Sequence, residues 1–220
     1  MNFRKAVFLD LDGTLTDSGP GIINSFNFAL DRLGLPPLPE NPDGVVGPSL
    51  WESFPKYGVK SDQIDLAIAA YRECYRGGEM LNNRLYEGII EQLSTLKDAG
   101  YGLCLATSKP IAYAAEITAH FGLSAYLDEQ VGSELDGSRS EKRDLLTYGL
   151  EKMCCGALDS IMVGDRHYDV NGACEVGMPC LGALYGYGTR DELIDAGAIA
   201  LLNTAHDLAT SVRKHLPIGE

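Results

Sequence analysis

Two aspartates directly follow a short apolar segment near the start of the sequence. The segment is Ala6–Leu9, and Asp10-Leu11-Asp12-Gly13-Thr14 comes immediately after it. Carboxylates two positions apart point the same way if the strand geometry continues, and Gly13 allows a turn whose backbone N–H groups can face an anion. Two acids in different environments can serve as an ionised nucleophile and a proton carrier. The pattern therefore favours a catalytic pair over a simple loop cap.

A second acidic pair follows a later apolar segment, in Val163-Gly164-Asp165-Arg166-His167-Tyr168-Asp169. Asp165 and Asp169 are four residues apart, which places them on one face if a helix begins there. With the first pair they form an all-oxygen set of the kind that Mg²⁺ prefers. We therefore predict a Mg²⁺ site at these four aspartates, and the alternative is that the second pair only caps a helix.

Candidate phosphate-binding residues occur at two further helix starts. Thr107-Ser108-Lys109 ends another apolar segment. A hydroxyl before a helix N-terminus is a ready anion site, although Ser and Thr are also the usual N-caps. Lys142 lies in the first turn of a predicted helix, where a positive charge is mildly unfavourable for the helix dipole. This placement indicates anion binding, unless Lys142 is simply solvated.

The segments that must position these residues alternate between short apolar strands and amphipathic helices. We predict strands at residues 6–9, 101–106, 129–132, 160–163 and 180–184, with a weaker one at 198–201. Brief and almost entirely apolar segments are typical of strands buried on both faces of a parallel sheet. The sequence therefore predicts an α/β fold with a doubly wound, Rossmann-like parallel sheet.

One long stretch interrupts this alternation. Residues 16–86 contain helical segments and a proline-rich connection at 35–39, but no convincing strand. We predict a small all-helical cap domain at 16–86, inserted after the first strand, and an α/β core domain at 1–15 and 87–220. Active sites of α/β sheets lie at the carboxyl ends of the strands, so a cap inserted there is expected to act as a lid.

The composition argues against several classes of partner and location. The net charge of −13 at pH 7 would not attract a nucleic acid polymer or an anionic membrane. No apolar stretch approaches the ~20 residues of a membrane helix, and no signal-peptide pattern is present. The six cysteines form no paired CxxC motifs, which argues against a zinc site and suits reduced thiols. We expect a cytoplasmic protein.

The order of these motifs resembles that of the haloacid dehalogenase-like hydrolase superfamily. An Asp-x-Asp-Gly-Thr motif, a Thr or Ser at a strand end, a Lys and a Gly-Asp-x-x-x-Asp motif follow one another along essentially the whole chain. The helical insertion resembles the cap of the phosphoglycolate phosphatase-like branch. Segments 132–139 and 185–188 resemble a subgroup described as 5′-nucleotidase-like or phosphoglycolate phosphatase-like.

The resemblance implies a Mg²⁺-dependent phosphatase that acts on a small-molecule phosphomonoester. Asp10 would attack phosphorus and become an aspartyl-phosphate, and Asp12 would act first as general acid and then as general base. The Mg²⁺ ligands would be Asp10, Asp165 and the backbone carbonyl of Asp12, with Asp169 completing the shell. The phosphate oxygens would be held by Thr107, Ser108, Lys142 and the backbone N–H groups from Leu11 to Gly13, including that of Gly13.

Two alternatives stay open within this resemblance. A sugar phosphomutase would begin from the same Asp10 intermediate, whereas Asp12 argues against a dehalogenase. Many relatives follow the lysine with Pro-x-Pro, but Lys142 is followed by Arg143-Asp144-Leu145. Arg139 and Arg143 are therefore competitors for its role, although the spacing after Gly-x-Arg favours Lys142.

The sequence leaves the substrate among three classes: a two-carbon acid phosphate, a nucleotide and a sugar phosphate. Arg72, Arg76 and Arg84, in the predicted cap, could bind a substrate carboxylate or could be solvated helix residues. A capped enzyme closes its own site and needs no partner subunit, so we expect a monomer or a weak homodimer.

Overall fold

The computed structural model describes residues 5–40, 42 and 44–219. The chain divides into two compact units. One combines the residues up to Thr16 with those from Leu85 onward, and the other is Asp17–Arg84. The assignment of 1–15 with 87–220 as core domain and of 16–86 as cap domain stays a prediction. Residues 1–4, 41, 43 and 220 of those ranges lie outside the described residues.

The first unit is built on a parallel sheet. In chain order the strands are β1 (Ala6–Leu9), β2 (Thr16–Asp17), β3 (Arg84–Leu85), β4 (Gly102–Pro110), β5 (Glu129–Ser133), β6 (Ser160–Gly164), β7 (Cys180–Ala183) and β8 (Ala200–Leu202). The sheet has six strands in the order β5-β4-β1-β6-β7-β8, and all neighbouring strands are parallel. β2 and β3 form a separate two-stranded sheet.

Helices connect the strands of the large sheet and make up most of the second unit. They are α1 (Gly19–Arg32), α2 (Leu50–Lys56), α3 (Ile64–Arg76), α4 (Ile89–Asp98), α5 (Ile111–His120), α6 (Lys142–Met153), α7 (His167–Glu175), α8 (Arg190–Ala196) and α9 (Leu208–His215). Short 3-10 helices lie at Ser61–Gln63, Glu79–Leu81, Leu123–Ala125, Ala157–Asp159 and Ala205–Asp207. None of the described helices is long and apolar enough to cross a bilayer.

The predicted α/β fold with a parallel sheet is confirmed. All four residues of β1 are 0% exposed, as expected for a central strand covered on both faces. The predicted strand bounds need small corrections. β4 continues to Pro110 instead of ending at 106, and the weak strand predicted at 198–201 is β8 at Ala200–Leu202. The polar end of β4 is a strand because it still pairs with β5, which its composition does not indicate.

The second unit is mainly helical and has an aromatic core. The rings of Phe26 in α1 and Phe54 in α2 stack with their centroids 4.1 Å apart, and Tyr71 and Tyr75 stack within α3 at 5.4 Å. The sequence pattern did not predict α2, because the helix is short and contains Pro55. Its formation is explained by the burial of Phe54, which is 0% exposed, since packing routinely outweighs helix propensity.

The prediction that 16–86 contains no strand needs correction at both ends of that range. β2 and β3 are two-residue strands, and they lie where the chain leaves the first unit and where it returns to it. Arg84 in β3 donates two hydrogen bonds to Asp17 Oδ2 in β2, at 2.9 and 2.7 Å. Strands this short have no periodicity that a sequence pattern could detect.

The register of the sheet aligns the carboxyl end of β1 with one residue in each neighbouring strand. Leu9, the last residue of β1, pairs with Leu105 in β4 and with Val163 in β6. Asp10 continues this alignment, because its N–H donates to the Val163 carbonyl at 3.0 Å. Residues just beyond this level in the three strands are therefore expected to lie together at the carboxyl edge of the sheet.

A carboxylate on α8 fastens that helix to the start of α7. Glu192 Oε1 accepts hydrogen bonds from Arg166 Nε at 2.8 Å and from the His167 N–H at 3.0 Å. The His167 Nδ1 atom lies 2.7 Å from the same oxygen. Burial raises the pKa of Glu192, but the hydrogen bonds from Arg166 and His167 outweigh it and lower the pKa to about 2. Glu192 therefore stabilises the fold in its ionised form.

We expect Glu192→Gln to lower the free energy of unfolding by about 1 kcal/mol at pH 7. The pKa of Glu192 is lower in the folded protein than its ordinary value of 4.5. The stabilisation is therefore present above pH 4.5 and is lost as the pH falls towards 2. Urea unfolding of both proteins at pH 7 and pH 3 measures the difference. Glu175→Gln, at the exposed end of α7, is the matched control and should be neutral. A Glu192→Gln effect that does not decrease at pH 3 would contradict this account.

Candidate active site

The turn after β1 places two aspartates at the carboxyl edge of the sheet. The N–H groups of Leu15 and Thr16 both donate to the Leu11 carbonyl at 2.9 Å, and the Gly13 N–H donates to the Thr16 carbonyl at 2.8 Å. Gly13 has φ +81°, and a Cβ there would overlap the Asp165 carboxylate. Glycine is therefore required both by the backbone conformation and by the close approach of Asp165.

The same hydrogen bonds change one predicted contact. Gly13 was predicted to hold phosphate through its amide, but that N–H is already bonded to Thr16. The N–H groups of Leu11 and Asp12 have no acceptor among the described residues. The amides available to an anion therefore precede Gly13, and Gly13 itself shapes the turn.

Three of the predicted metal ligands form a compact group of carboxylates. Asp10, Asp165 and Asp169 each offer one oxygen, and these oxygens lie within 4.8 Å of one another. The three residues are 7%, 0% and 2% exposed. Burial raises the pKa of Asp10 to about 6 against the opposing effect of Lys142. Burial and the neighbouring carboxylates raise the pKa of Asp165 well above its ordinary value. Such a group could hold a cation.

Lys142 offsets part of this negative charge. Its Nζ lies 3.1 Å from Asp10 Oδ1 and 2.7 Å from Asp169 Oδ1, and it donates to the Ala106 carbonyl at 2.9 Å. Its side chain is only 4% exposed. Burial alone would lower the pKa of Lys142, but the two carboxylates outweigh burial and raise it. Lys142 is therefore a fixed positive charge beside Asp10.

The competing arginines are directed elsewhere. The Arg139 guanidinium lies 4.3 Å from the ring centroid of Tyr148 and 3.6 Å from Glu134. Arg143 is more than half exposed and pairs with Asp144 at 3.1 Å. Between these residues and Lys142, the geometry favours Lys142 as the phosphate ligand.

Thr107 and Ser108 lie at the same edge, at the end of β4. Thr107 is 2% exposed, and its hydroxyl accepts the Lys109 N–H at 3.2 Å. The Ser108 hydroxyl donates to the Ser140 carbonyl at 3.0 Å, two residues before Lys142. Ser108 thereby fixes the segment that leads into α6, and its predicted direct contact with phosphate stays a prediction.

Asp12 does not join the carboxylate group through its side chain. Asp12 Oδ2 pairs with Lys109 Nζ at 2.9 Å, and the Lys109 side chain is only 7% exposed. The predicted contribution of Asp12 to metal binding was its backbone carbonyl, and this stays a prediction. No role for Lys109 was predicted from the sequence. The only feature of the sequence that could have indicated a role for Lys109 is its position beside Thr107 and Ser108.

The loop after β7 holds Asp165 in place. The Tyr187 N–H donates to Asp165 Oδ2 at 2.8 Å, and the Tyr185 hydroxyl donates to the Thr14 carbonyl at 3.0 Å. A Cβ at Gly186 would overlap the Gly13 carbonyl and Asp165, and one at Gly188 would overlap the Asp165 carbonyl. From the sequence, segment 185–188 was predicted only as a subgroup pattern, because a packing role is not visible in sequence.

Comparison with known proteins shows the family to which the chain belongs. The model of the haloacid dehalogenase-like hydrolase family matches residues 7–183, which is most of the chain. The chain belongs to this family. The predicted family and the predicted class of enzyme, a phosphatase of the haloacid dehalogenase-like type, are thereby confirmed.

Several relatives of this hydrolase are similar over most of their length. A 5′-nucleotidase of Pseudomonas aeruginosa is 40% identical over 193 residues, covering 85% of this chain and 86% of that protein. The tyrosine-protein kinase PtkA of Mycobacterium tuberculosis is 38% identical over 203 residues, covering 91% and 69%. The crystal structure of a predicted phosphatase from Clostridium acetobutylicum has a TM-score of 0.88 at 37% identity, covering 97% and 100%.

We expect Gly186→Ala to destabilise this hydrolase by about 1–3 kcal/mol, because the added methyl group displaces Asp165 or the Gly13 turn. Urea unfolding measures this change. Gly156→Ala is the matched control, since a Cβ there would meet only Asp159 Oδ2 at 3.9 Å, and it should stay within about 0.5 kcal/mol of the wild type. Equal stability of the two variants would show that the Gly186 loop is not packed against Asp165.

Proposed function

We propose that this hydrolase is a Mg²⁺-dependent phosphatase that cleaves a small-molecule phosphomonoester through an aspartyl-phosphate on Asp10. The observation that carries the proposal is the position of Asp10. Its carboxylate lies within the buried group that includes Asp165 and Asp169, and Lys142 Nζ lies 3.1 Å from Oδ1. The Lys142 ammonium can bind the oxygens of a phosphoryl group. The Asp10 carboxylate, fixed beside that ammonium, is then placed to attack the phosphorus.

The reaction takes place in two steps at the same phosphorus. An Asp10 oxygen attacks phosphorus, the bond to the substrate oxygen breaks, and Asp12 donates a proton to that leaving oxygen. Water then attacks the phosphorus of the aspartyl-phosphate. Asp12 takes a proton from this water, and the bond between Asp10 and phosphorus breaks. The products are an alcohol and inorganic phosphate, and both aspartates return to their starting states.

The oxygens of the transferring group are held by fixed donors. Lys142 supplies a positive charge, Thr107 a hydroxyl, and Leu11 and Asp12 supply backbone N–H groups. Each is positioned by the fold before substrate arrives, since Lys142 is held by Ala106 and Thr107 by the end of β4. Preorganised donors of this kind lower the barrier without a reorganisation cost during the reaction.

The residues present fit a divalent cation. When ionised, Asp10, Asp165 and Asp169 carry three negative charges, and their lysine partner Lys142 carries one positive charge, which leaves a net charge of −2. The ligands would be Asp10, Asp165, Asp169 and the Asp12 carbonyl. A bound Mg²⁺ would neutralise negative charge on the phosphoryl group that is transferred. This assignment rests on buried oxygen donors, which suit Mg²⁺ better than zinc.

The substrate class is proposed from the helical segment and from the relatives. We propose that the segment 16–86 is a cap that selects the group attached to phosphate. A nucleoside 5′-monophosphate is the first candidate, because one relative with 40% identity is named a 5′-nucleotidase. Phosphoglycolate remains the second candidate, and a sugar phosphomutase the alternative reaction. A monomer or weak homodimer in the cytoplasm, with no nucleic acid polymer or membrane as partner, remains our expectation.

We expect Mg²⁺-dependent phosphate release that Asp10→Asn lowers more than about 1,000-fold in kcat/KM, because the nucleophile is lost. The assay measures phosphate from p-nitrophenyl phosphate, 5′-nucleotides, phosphoglycolate and hexose phosphates, with and without EDTA. Asp144→Asn, at an exposed aspartate in α6, is the matched control and should keep wild-type activity. Isomerised hexose phosphate without phosphate release would favour the mutase. Undiminished activity in Asp10→Asn would refute the aspartyl-phosphate.

We also expect Mg²⁺ to stabilise the wild type in the absence of substrate. Saturation at 100 times the dissociation constant would add about 2.7 kcal/mol and raise the melting temperature by several degrees. Asp165→Asn should abolish this increase, because it removes a ligand and one negative charge. Asp144→Asn should preserve it. Thermal unfolding with MgCl₂ or EDTA gives the comparison, and an equal Mg²⁺ effect in Asp165→Asn would rule out the proposed site.

A further inference from the structure

A second buried lysine lies at the carboxyl edge of the sheet and is not used in the steps above. The Lys109 side chain is 7% exposed, and the Asp12 side chain is 12% exposed. Lys109 Nζ lies 2.9 Å from Asp12 Oδ2. Burying an ammonium is costly unless a carboxylate compensates for the lost water. The partner here is the residue that would act as general acid and base, which makes the pairing informative about the reaction.

The two oxygens of Asp12 have different surroundings. Oδ2 is occupied by Lys109, whereas Oδ1 is buried and has no hydrogen-bond partner among the described residues. A buried acceptor without a partner is unfavourable, so such an atom calls for an explanation. A reacting group that approaches Oδ1 would supply the missing partner.

The two buried lysines serve different aspartates. Lys142 contacts Asp10 and Asp169, whereas the ion pair of Lys109 is with Asp12. Lys109 is thus not a second copy of the phosphate lysine, because its ammonium forms an ion pair with Asp12, the proposed proton carrier.

An irregularity in the sheet accounts for the direction of Lys109. The pairing of β4 with β5 shifts register between Thr107 and Pro110, and Lys109 lies inside this interval. Bulges of this kind redirect side chains at sheet edges and near active sites. The Lys109 N–H also donates to the Thr107 hydroxyl, so the same local backbone fixes Thr107 and directs Lys109 to Asp12.

We propose that Lys109 is a positioning residue that holds Asp12 Oδ2, so that Oδ1 is the oxygen that exchanges a proton with the leaving group. The proposal rests on the proposed phosphatase mechanism, in which Asp12 is the general acid. Because Oδ2 accepts from the ammonium, the carboxyl proton is carried on Oδ1. Without Lys109 the carboxylate could rotate, and the proton would no longer face the bond that breaks.

This role has a kinetic signature that a merely structural role lacks. Proton donation matters most for a poor leaving group, such as an alkoxide, and little for p-nitrophenolate, which departs without a proton. General acid catalysis contributes about 100- to 10,000-fold. We expect Lys109→Met to lower kcat/KM about 10- to 100-fold for an alkyl phosphate and less than about threefold for p-nitrophenyl phosphate.

The experiment compares Lys109→Met with Lys109→Arg and with Lys152→Met, a lysine substitution in α6 outside the site. Lys109→Arg should restore most of the alkyl phosphate activity, because it can still donate to Asp12 Oδ2, and Lys152→Met should be neutral. Circular dichroism and thermal unfolding check that each variant is folded. If Lys109→Met does not fold, Lys109→Gln takes its place in the comparison.

A double-mutant cycle tests whether Lys109 acts through Asp12. In an Asp12→Asn background, assayed with p-nitrophenyl phosphate and with the alkyl phosphate, Lys109→Met should change the rate by less than about twofold. Additive losses would overturn the proposal. So would an equal loss for both substrates in the single variant, or a rise in KM with unchanged kcat, which would indicate direct substrate binding. The Asp10→Asn result tests the phosphatase mechanism separately, so the two failures are distinguishable.

Discussion

The grouping of buried carboxylates at one edge of a parallel sheet governs the local chemistry of this hydrolase. Asp10, Asp165 and Asp169 are brought within 4.8 Å, although like charges at such distances repel each other strongly in a medium of low polarity. The fold tolerates this arrangement because Lys142 lies between two of them. Lys142 leaves part of the negative charge uncompensated, and this charge can bind a cation. The same carboxylates that repel one another are therefore the ones that we propose for catalysis.

The scaffold holds this charge with backbone groups from separate loops. Asp165 accepts from the Tyr187 amide, and Asp169 accepts from the Arg166 amide at 3.1 Å. The register of β1, β4 and β6 aligns Leu9 with Leu105 and Val163, and helix α6 begins at Lys142 itself. Asp165, Asp169 and Lys142 are thus fixed by main-chain features, which is the placement that the proposed catalysis needs.

Local sequence predicted much of this arrangement, because several features are local. An apolar segment followed by Asp10 and Asp12 indicates a strand end, and the helix start at Lys142 was also expected. Lys109 could not be predicted, since its direction depends on the pairing of β4 with a strand about twenty residues later. The amide of Gly13 was assigned to phosphate because the turn that engages it with Thr16 is visible only in three dimensions. Helix α2 depends in the same way on the packing of Phe54.

The loop at residues 185–188 links the opening of its own backbone to the position of Asp165. Two of its four residues lack a side chain, so the loop loses more backbone conformational entropy on folding than an ordinary segment does. One of the contacts that order it is the hydrogen bond from the Tyr187 amide to Asp165. Anything that draws that carboxylate oxygen away weakens the hold on the loop. The exchange of the Tyr187 amide proton with solvent therefore reports how firmly Asp165 is held, even when no substrate is present.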